Sequence, residues 1–224
     1  VSRLFDDIYF SEQDGIAESE YVFLQQNGLP EAWQGKQIFS ILETGFGTGL
    51  NFFCSLEAWF KTADPAACLT YISVEKYPLS KADFDQQLQI WPQYADYIEE
   101  LSRVYPDLVS GFHYRSLFDG RIRLLLLLGD AAEQLTELKA QVDVCFLDGF
   151  APSKNKSMWT PALFKQLARL VKPGGSLSTF TAVGEVRRGL QAAGFDMQKT
   201  AAYGQKRHML TGRRNAAEAD FVSR

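Results

Sequence analysis

Short apolar runs alternate with amphipathic stretches along most of this chain, and this alternation restricts the fold more than any other feature. The apolar runs fall at residues 38–42, 69–74, 122–128, 142–147 and 177–181. Helical periodicity fills the intervals, near residues 50–61, 80–90, 131–139, 160–170 and 184–193. Strands that are apolar on both faces and separated by helices form a parallel sheet covered on both sides. The sequence therefore predicts a doubly wound α/β fold.

The 224 residues contain no internal repeat and no Pro- or Ser-rich linker, so they predict a single core domain. We expect an N-terminal extension at 1–35, the core domain at 36–212 with a small insertion at about 91–120, and a polar tail or linker start at 213–224. A hairpin is predicted where 112–117 turns at Asp119-Gly120 into 121–127.

Several classes of protein are disfavoured by composition. No apolar run approaches the roughly 20 residues that cross a bilayer, and no signal-peptide core is present, so we expect a cytoplasmic protein without a membrane partner. Three cysteines without CxxC spacing predict buried thiols. With only two histidines, no metal site is expected.

Charge is distributed unevenly along the chain. Residues 1–112 carry 6 Lys/Arg against 17 Asp/Glu, a net charge of −11, whereas residues 113–224 carry +7. The basic excess is concentrated near the end, in Arg187, Arg188, Lys199, Lys206, Arg207, Arg213 and Arg214. Such a cluster can hold a polyanion or can simply be a solvated surface, and charge alone leaves both interpretations open.

A glycine-rich segment leaves the first predicted strand and enters a helix. It reads Glu43-Thr44-Gly45-Phe46-Gly47-Thr48-Gly49, and its glycines let the backbone approach a ligand closely. A dinucleotide fingerprint has the spacing GxGxxG, whereas this segment has GxGxG after an acidic residue. Glu75, at the end of the second strand, is placed to bind a ribose diol, which suits either type of cofactor.

Two further segments bear on the choice of cofactor. Asp130 follows the third parallel strand, where it can cap the next helix, with Glu133 completing a capping box. A Lys172-Pro173-Gly174-Gly175 turn precedes the last apolar run. Together with the glycine segment and Glu75, these features resemble the Rossmann-like S-adenosylmethionine-dependent methyltransferases. This resemblance implies a second role for Asp130, binding of the adenine amino group, and the two roles are compatible.

The fourth parallel strand ends in Asp148-Gly149-Phe150-Ala151-Pro152, which resembles the acidic loop of amine methyltransferases. Because ligands bind beyond the carboxyl ends of such strands, Asp148 is predicted to face a substrate. Its carboxylate can orient an acceptor amine, and the Phe150 ring can stack on a base or face a cationic methyl group. The structural alternative is an Asp148 that caps a turn beside a buried Phe150.

Thr160 and Pro161 are predicted to be the N-cap and first residue of the next helix. Trp159, just before them, either lines the pocket or fills the core.

Longer segments extend the resemblance over essentially the whole chain. They lie at 6–11, 21–24, 43–52 (ETGFGTGLNF), 74–79 (VEKYPL), 146–161 (FLDGFAPSKNKSMWTP), 180–195 (FTAVGEVRRGLQAAGF) and 206–210. The sequence resembles the methyltransferase domain of the MnmC family. The resemblance implies methyl transfer from S-adenosylmethionine to the 5-aminomethyl group of a wobble uridine, usually 2-thiolated, in tRNA, which gives 5-methylaminomethyl-2-thiouridine. It also implies an association with an FAD-dependent oxidase domain, tethered or separate, although no FAD is expected in this chain.

The same resemblance implies roles for individual residues. The cofactor would contact Glu43, Gly45, Phe46, Gly47, Gly49, Glu75, Lys76, Asp130 and Asp148. Asp148 and Phe150 would form the catalytic pair. The tRNA would contact Lys154, Lys156, Trp159, Arg187, Arg188, Lys206 and Arg207. Two rival hypotheses remain: methylation of another amine or nucleic-acid base, and a noncatalytic module that binds the cofactor or tRNA.

Overall fold

An eight-stranded sheet forms the centre of the computed structural model, which describes residues 15–153, 155, 158–204 and 207–216. The strand order is β3-β4-β2-β1-β5-β6-β8-β7. The strands are β1 (Ile38–Glu43), β2 (Cys68–Glu75), β3 (Gly111–Leu117), β4 (Ile122–Leu128), β5 (Val142–Phe146), β6 (Val171–Thr179), β7 (Phe195–Ala201) and β8 (His208–Arg214). Five neighbouring strands, β4-β2-β1-β5-β6, are parallel. The predicted α/β class is therefore confirmed.

Antiparallel strands complete both ends of the sheet. β3 pairs with β4 as the predicted hairpin, in register from Leu117 opposite Ile122 to Gly111 opposite Leu128. β8 runs antiparallel between β6 and β7. The chain therefore returns to the carboxyl edge of the parallel strands at the turn between β7 and β8.

Helices cover the two faces of the sheet. The longer ones are α2 (Leu50–Thr62), α5 (Ala95–Arg103), α6 (Ala131–Glu137), α7 (Pro161–Leu170) and α8 (Gly184–Ala192), and the shorter ones are α1 (Gly15–Ser19), α3 (Lys81–Asp85) and α4 (Gln87–Ile90). Two apolar clusters result, one on each side, and they include Phe39 and Phe52 in one and Leu42 and Leu167 in the other. Among the described residues, no helix combines the length and apolar character needed to span a bilayer.

The described residues before β1 include a series of short helical turns at 15–33, here called the N-terminal helical region, which packs on the core. After α1 the chain forms a π-helical turn at Glu20–Leu24 and short 3₁₀ turns at Gln25–Asn27 and Glu31–Trp33. The Phe23 ring lies 5.3 Å from that of Phe146 at the end of β5, and Asn27 Nδ2 donates to Ser178 Oγ at 2.7 Å. These contacts hold the N-terminal helical region close to the carboxyl ends of β5 and β6.

Two local expectations need correction. The helix predicted near 80–90 is divided into α3 and α4 at Gln86, and Ser80 caps the first piece by accepting from Asp83 N. The strand predicted to start at residue 177 begins at Val171. Val171 pairs with Val142, but Val144 pairs with Ser176, so the turn at 172–175 is an irregularity within β6 rather than its start.

Candidate active site

A cavity of about 350 Å³ opens at the carboxyl edge of the parallel strands, within the size range of small-molecule pockets. Its walls come from the N-terminal helical region, the loop after β1, the ends of β2 and β4, and the loop after β5. The predicted site residues among its lining are Gly45, Phe46, Gly47, Glu75, Lys76, Asp130, Asp148 and Phe150. Residues from four strand ends therefore meet around one space.

The glycine loop is held in place by backbone hydrogen bonds. Phe46 N donates to Val74 O at 3.1 Å, and Gly49 N donates to Phe46 O at 2.8 Å. A Cβ at Gly45 would lie 3.3 Å from Asp148 O, so this glycine allows the loops after β1 and β5 to approach closely. Gly49 has φ +84°, a left-handed conformation that favours glycine, and it caps the start of α2. Gly49 supports the loop without lining the cavity.

Glu75 ties the end of β2 to the glycine loop. Its Oε2 accepts from Gly47 N at 2.7 Å, and its Oε1 accepts from Tyr77 N at 2.7 Å. Burial raises the pKa of this carboxyl above its ordinary value, and the backbone donors oppose that rise. Each carboxylate oxygen can accept more than one hydrogen bond, so these contacts are compatible with a ribose diol as a further donor.

Asp130 is the N-cap of α6, one of the two roles that the sequence allowed for it. Its Oδ1 accepts from Ala132 N at 3.0 Å, and its Oδ2 accepts from Lys76 Nζ at 3.0 Å. The hydrogen bond with Asp130 raises the pKa of Lys76. Both residues line the cavity, so the capping role does not remove Asp130 from a ligand's reach.

Asp148 is anchored by donors on both carboxylate oxygens. Gly149 N donates to Oδ1 at 2.8 Å, and Asn51 Nδ2 donates to Oδ2 at 2.7 Å. The main chain is fixed as well, because Thr44 Oγ1 donates to Asp148 O at 2.6 Å. Asp148 thus lines the cavity and also caps its own turn, and its contact with a substrate stays a prediction.

Asn51 binds two carboxyl groups with one amide nitrogen. Its Nδ2 donates to Glu43 Oε1 at 2.8 Å as well as to Asp148, while its Oδ1 accepts from the hydroxyl of Ser19 in α1. Sequence reasoning missed both Asn51 and Ser19. The available signal was a polar side chain in the apolar run LNFFCSL at the start of α2, where Asn51 is only 4% exposed.

Glu43 lies beneath the cavity floor. The residue is 1% exposed, and Ser73 Oγ donates to its second carboxyl oxygen at 2.7 Å. Burial, together with the nearby charge of Asp148, raises the pKa of Glu43 to about 8. The neutral form therefore predominates at neutral pH, which limits repulsion between the two acids. Direct contact between Glu43 and a cofactor stays a prediction, since Glu43 does not line the cavity.

The loop after β5 places Phe150 at the cavity and Trp159 behind it. Trp159 Nε1 donates to Phe150 O at 3.0 Å, and its ring stands edge-on to Phe180 with centroids 6.3 Å apart. Trp159 packs against the apolar cluster and does not appear among the lining residues, whereas Phe180 does. Thr160 and Pro161 begin α7 as predicted, with the Thr160 hydroxyl accepting from Leu163 N.

Three of the arginines predicted to contact tRNA lie on or just before elements that start at the same edge of the sheet. α8, which carries Arg187 and Arg188, begins four residues after Phe180 at the cavity. Arg207 comes just before β8. It follows the end of β7, where Ala201 pairs with His208, the first residue of β8. Arg188 and Arg207 are exposed. Lys154, Lys156 and Lys206 lie outside the described residues, as do 1–14 of the predicted extension and 217–224 of the predicted tail.

Fold and site together define the class of this protein. The family described as S-adenosyl-L-methionine-dependent methyltransferase matches residues 92–215, more than half of the chain. The chain belongs to this family of S-adenosyl-L-methionine-dependent methyltransferases.

Individual proteins resemble this chain over nearly its whole length. The chain is 46% identical over 226 residues to the tRNA 5-methylaminomethyl-2-thiouridine biosynthesis bifunctional protein MnmC of Stutzerimonas stutzeri, covering 100% of this chain and 34% of that protein. It is 49% identical over 215 residues to the protein of the same name from Pseudomonas paraeruginosa, covering 95% of this chain and 33% of that protein. The resemblance to the MnmC family is thereby confirmed, and the chain spans about a third of the length of these curated relatives.

Solved structures share the fold. MnmC2 from Aquifex aeolicus superposes with a TM-score of 0.78 at 24% identity, covering 96% of this chain and 67% of that one. A spermidine synthase in complex with the transition-state analogue AdoDATO gives a TM-score of 0.54 at 14% identity, covering 92% and 63%. At these identities the likeness concerns the fold alone.

Proposed function

We propose that this chain transfers a methyl group from S-adenosylmethionine to the 5-aminomethyl group of the wobble uridine, usually 2-thiolated, in tRNA. The product would be 5-methylaminomethyl-2-thiouridine. The observation that carries the proposal is the carboxylate of Asp148, fixed by Asn51 and Gly149 at the wall of the cavity. The names of the relatives, which place them in the biosynthesis of this nucleoside, support the choice of acceptor.

The residues around the cavity suit this cofactor. The glycine loop provides close backbone approach for the methionine portion, Glu75 offers acceptor oxygens for the ribose, and Asp130 offers one for the adenine amino group. When bound, S-adenosylmethionine supplies a methyl group on a sulfonium sulfur. Carboxylates from α1, β2 and the loop after β5 surround the cavity, so its potential favours a cationic ligand.

Asp148 would act on the acceptor amine. A primary alkyl amine is mostly protonated at neutral pH and has no free lone pair, by analogy with lysine and its pKa of about 10.4. A fixed carboxylate can accept an N–H hydrogen bond, orient the nitrogen and receive its proton at an Oδ atom. The ring of Phe150 lies on the same wall and can pack against the uracil ring or the cationic methyl donor.

The tRNA would be held by the basic side chains at the same edge of the sheet. Arg187 and Arg188 on α8 and Arg207 before β8 would form this phosphate-binding rim. Lys154, Lys156 and Lys206, which lie outside the described residues, are proposed from the sequence as further phosphate contacts. Trp159 would support the loop that meets the anticodon base. A tRNA substrate implies that the protein works in the cytoplasm. An FAD-dependent oxidase, tethered or separate, is the proposed partner.

Mass spectrometry of nucleosides tests the function directly. tRNA carrying 5-aminomethyl-2-thiouridine is incubated with the chain and S-adenosylmethionine, digested and analysed. We expect conversion of that nucleoside to its methylamino form. Binding of S-adenosylhomocysteine without conversion would reject this acceptor and point to another amine or base.

A variant at Asp148 tests the mechanism. Asp148→Asn keeps the size of the side chain but removes the charge that holds the amine, so we expect the methylation rate to fall about 100-fold or more. Affinity for S-adenosylhomocysteine, measured by isothermal titration, shows whether the variant still binds the cofactor product. An unchanged methylation rate would remove Asp148 from the mechanism.

A further inference from the structure

We propose that Asn51 is a positioning residue for Asp148, and that Ser19 of the N-terminal helical region fixes Asn51 in the orientation this requires. The inference deepens the proposed function, and it rests on that function only for the reaction that Asp148 serves. The geometry behind it is a chain of side-chain hydrogen bonds from Ser19 to Asn51 and from Asn51 to both Asp148 and Glu43.

The orientation of the Asn51 amide follows from its partners. The ionised carboxylate of Asp148 only accepts hydrogen bonds, so the side of Asn51 that faces it must be the NH₂ group, which also donates to Glu43 Oε1. The oxygen then points toward the Ser19 hydroxyl, which donates to it. A rotation of the amide by half a turn would place its oxygen against the Asp148 carboxylate and its NH₂ group against the hydroxyl hydrogen of Ser19.

This contact settles the orientation of the Asp148 side chain. Gly149 N holds one carboxylate oxygen, but this donor is adjacent in the chain and permits the group to turn about it. Asn51 Nδ2 holds the other oxygen at 2.7 Å from an independent element, α2. Two donors on different oxygens fix the plane of the carboxylate, as a group that must aim at a reacting nitrogen requires.

The hydrogen bond from Asn51 to Asp148 also acts on the charge of Asp148. Asp148 shares its donor with the buried Glu43, so two carboxyl groups lie close together, and the amide hydrogens stabilise the ionised form of Asp148. Other titratable side chains around or beneath the cavity are Glu18, Tyr71, Glu75, Lys76, Tyr77 and Asp130. Lys76 donates to Asp130, and Asn51 is a side-chain donor that Asp148 and Glu43 share.

The test compares three variants. Asn51→Leu removes both donors at similar volume, and Ser19→Ala removes only the group that fixes the amide. Ser55→Ala is the matched control: the Ser55 hydroxyl donates to the Asn51 main-chain oxygen at 2.7 Å, so its loss removes a buried hydrogen bond of the same helix without touching the carboxylates. Thermal unfolding shows which variants remain folded.

The first readout does not depend on the substrate. Carbon-13 NMR of labelled aspartate follows the ionisation of Asp148 with pH in each protein. We expect the pKa of Asp148 to be higher in Asn51→Leu than in the wild type, higher by less in Ser19→Ala, and unchanged in Ser55→Ala, because a donor to the ionised form lowers a carboxyl pKa. If Asn51→Leu does not fold, the inference is tested by comparing the pKa of Asp148 in Ser19→Ala with that in Ser55→Ala. An unchanged Asp148 titration in the folded variants would overturn the inference.

The second readout concerns the reaction. We expect kcat to fall about 10- to 100-fold in Asn51→Leu, the loss associated with a hydrogen bond to a charged group. The acidic limb of its kcat profile should move to higher pH, while affinity for S-adenosylhomocysteine stays within about threefold. An affinity that falls as much as kcat would overturn the inference by making Asn51 a cofactor-binding residue. Absence of tRNA methylation by the wild type, with the NMR shift present, would reject the acceptor and leave the role of Asn51 intact.

Discussion

Replacing Glu43 with glutamine is expected to remove a pH dependence from the stability of the folded chain. Glutamine keeps the shape of the side chain, its carbonyl can still accept from Asn51, and the Ser73 hydroxyl can turn to accept from its amide. The variant therefore removes ionisation at this position while retaining the hydrogen-bond pattern.

The size of the effect follows from the pKa of Glu43, which burial raises from 4.5 to about 8. Between these values the folded chain holds a proton that the unfolded chain has released, so the free energy of unfolding falls as pH rises. At 1.36 kcal/mol per pH unit the whole interval corresponds to roughly 5 kcal/mol, and the part between about pH 5.5 and 7.5 to roughly 2.5 kcal/mol. Above about pH 8 the acid is ionised in both states, and the dependence ends.

Urea denaturation across this pH range gives the required measurement. The difference in unfolding free energy, wild type minus Glu43→Gln, cancels the other titrating groups and should fall by about 1.4 kcal/mol per pH unit before it levels off. The matched control is Glu57→Gln. Hydrogen bonds from Lys61 and Tyr97 lower the pKa of Glu57, so its contribution to stability is lost only as the pH falls below the ordinary range of a carboxyl. The difference in unfolding free energy between the wild type and Glu57→Gln should therefore stay constant over the pH range in which the difference for Glu43→Gln changes. A flat difference for Glu43 as well would refute the account of a buried, neutral acid.

Three further outcomes can be measured. Gly49→Ala should lose more stability than Gly35→Ala: both carry the cost of a positive φ, about 1–2 kcal/mol, but a Cβ at Gly49 would lie 3.0 Å from a phenylalanine ring whereas Gly35 faces open space. Asp130→Ser retains a capping hydroxyl, so we expect little change in thermal stability but weaker S-adenosylhomocysteine binding by calorimetry; unchanged binding would restrict Asp130 to capping. Arg188→Glu should weaken tRNA binding, with the larger factor at low salt, more than Arg123→Glu at the amino end of β4; equal effects would argue against a local patch.

The parts of the site that sequence could predict are those defined by a strand end. Glu75, Asp130 and Asp148 each follow an apolar run, and the carboxyl ends of parallel strands meet at one edge of a sheet. Their common location at the cavity therefore follows from pattern and topology. The glycine loop could be predicted as well, because its glycines follow an apolar run and precede a helical pattern.

The parts that sequence could not predict depend on packing between distant elements. Ser19 and Asn51 are 32 residues apart and meet only because the N-terminal helical region lies against α2. Nothing local in the segment at 15–24 indicates the π-helical turn that follows Ser19. The same limit applies to Glu43: its position before the glycines suggested a ligand contact, and only the three-dimensional packing reveals that its carboxyl is buried under Asn51.

The uneven charge of the sequence acquires a spatial meaning at this site. Glu18 and Glu75 of the acidic half line the cavity together with Asp130 and Asp148 of the basic half, whereas the exposed Arg188 and Arg207 lie on α8 and just before β8. A net charge of −4 would disfavour a polyanion if the charges were mixed evenly. Separated in this way, the basic rim can attract phosphates while the acidic interior attracts a cationic amine. Because salt screens exposed charges and competes for phosphate contacts but reaches buried charges less, raising the salt concentration should weaken tRNA binding strongly and affect the buried carboxylates little.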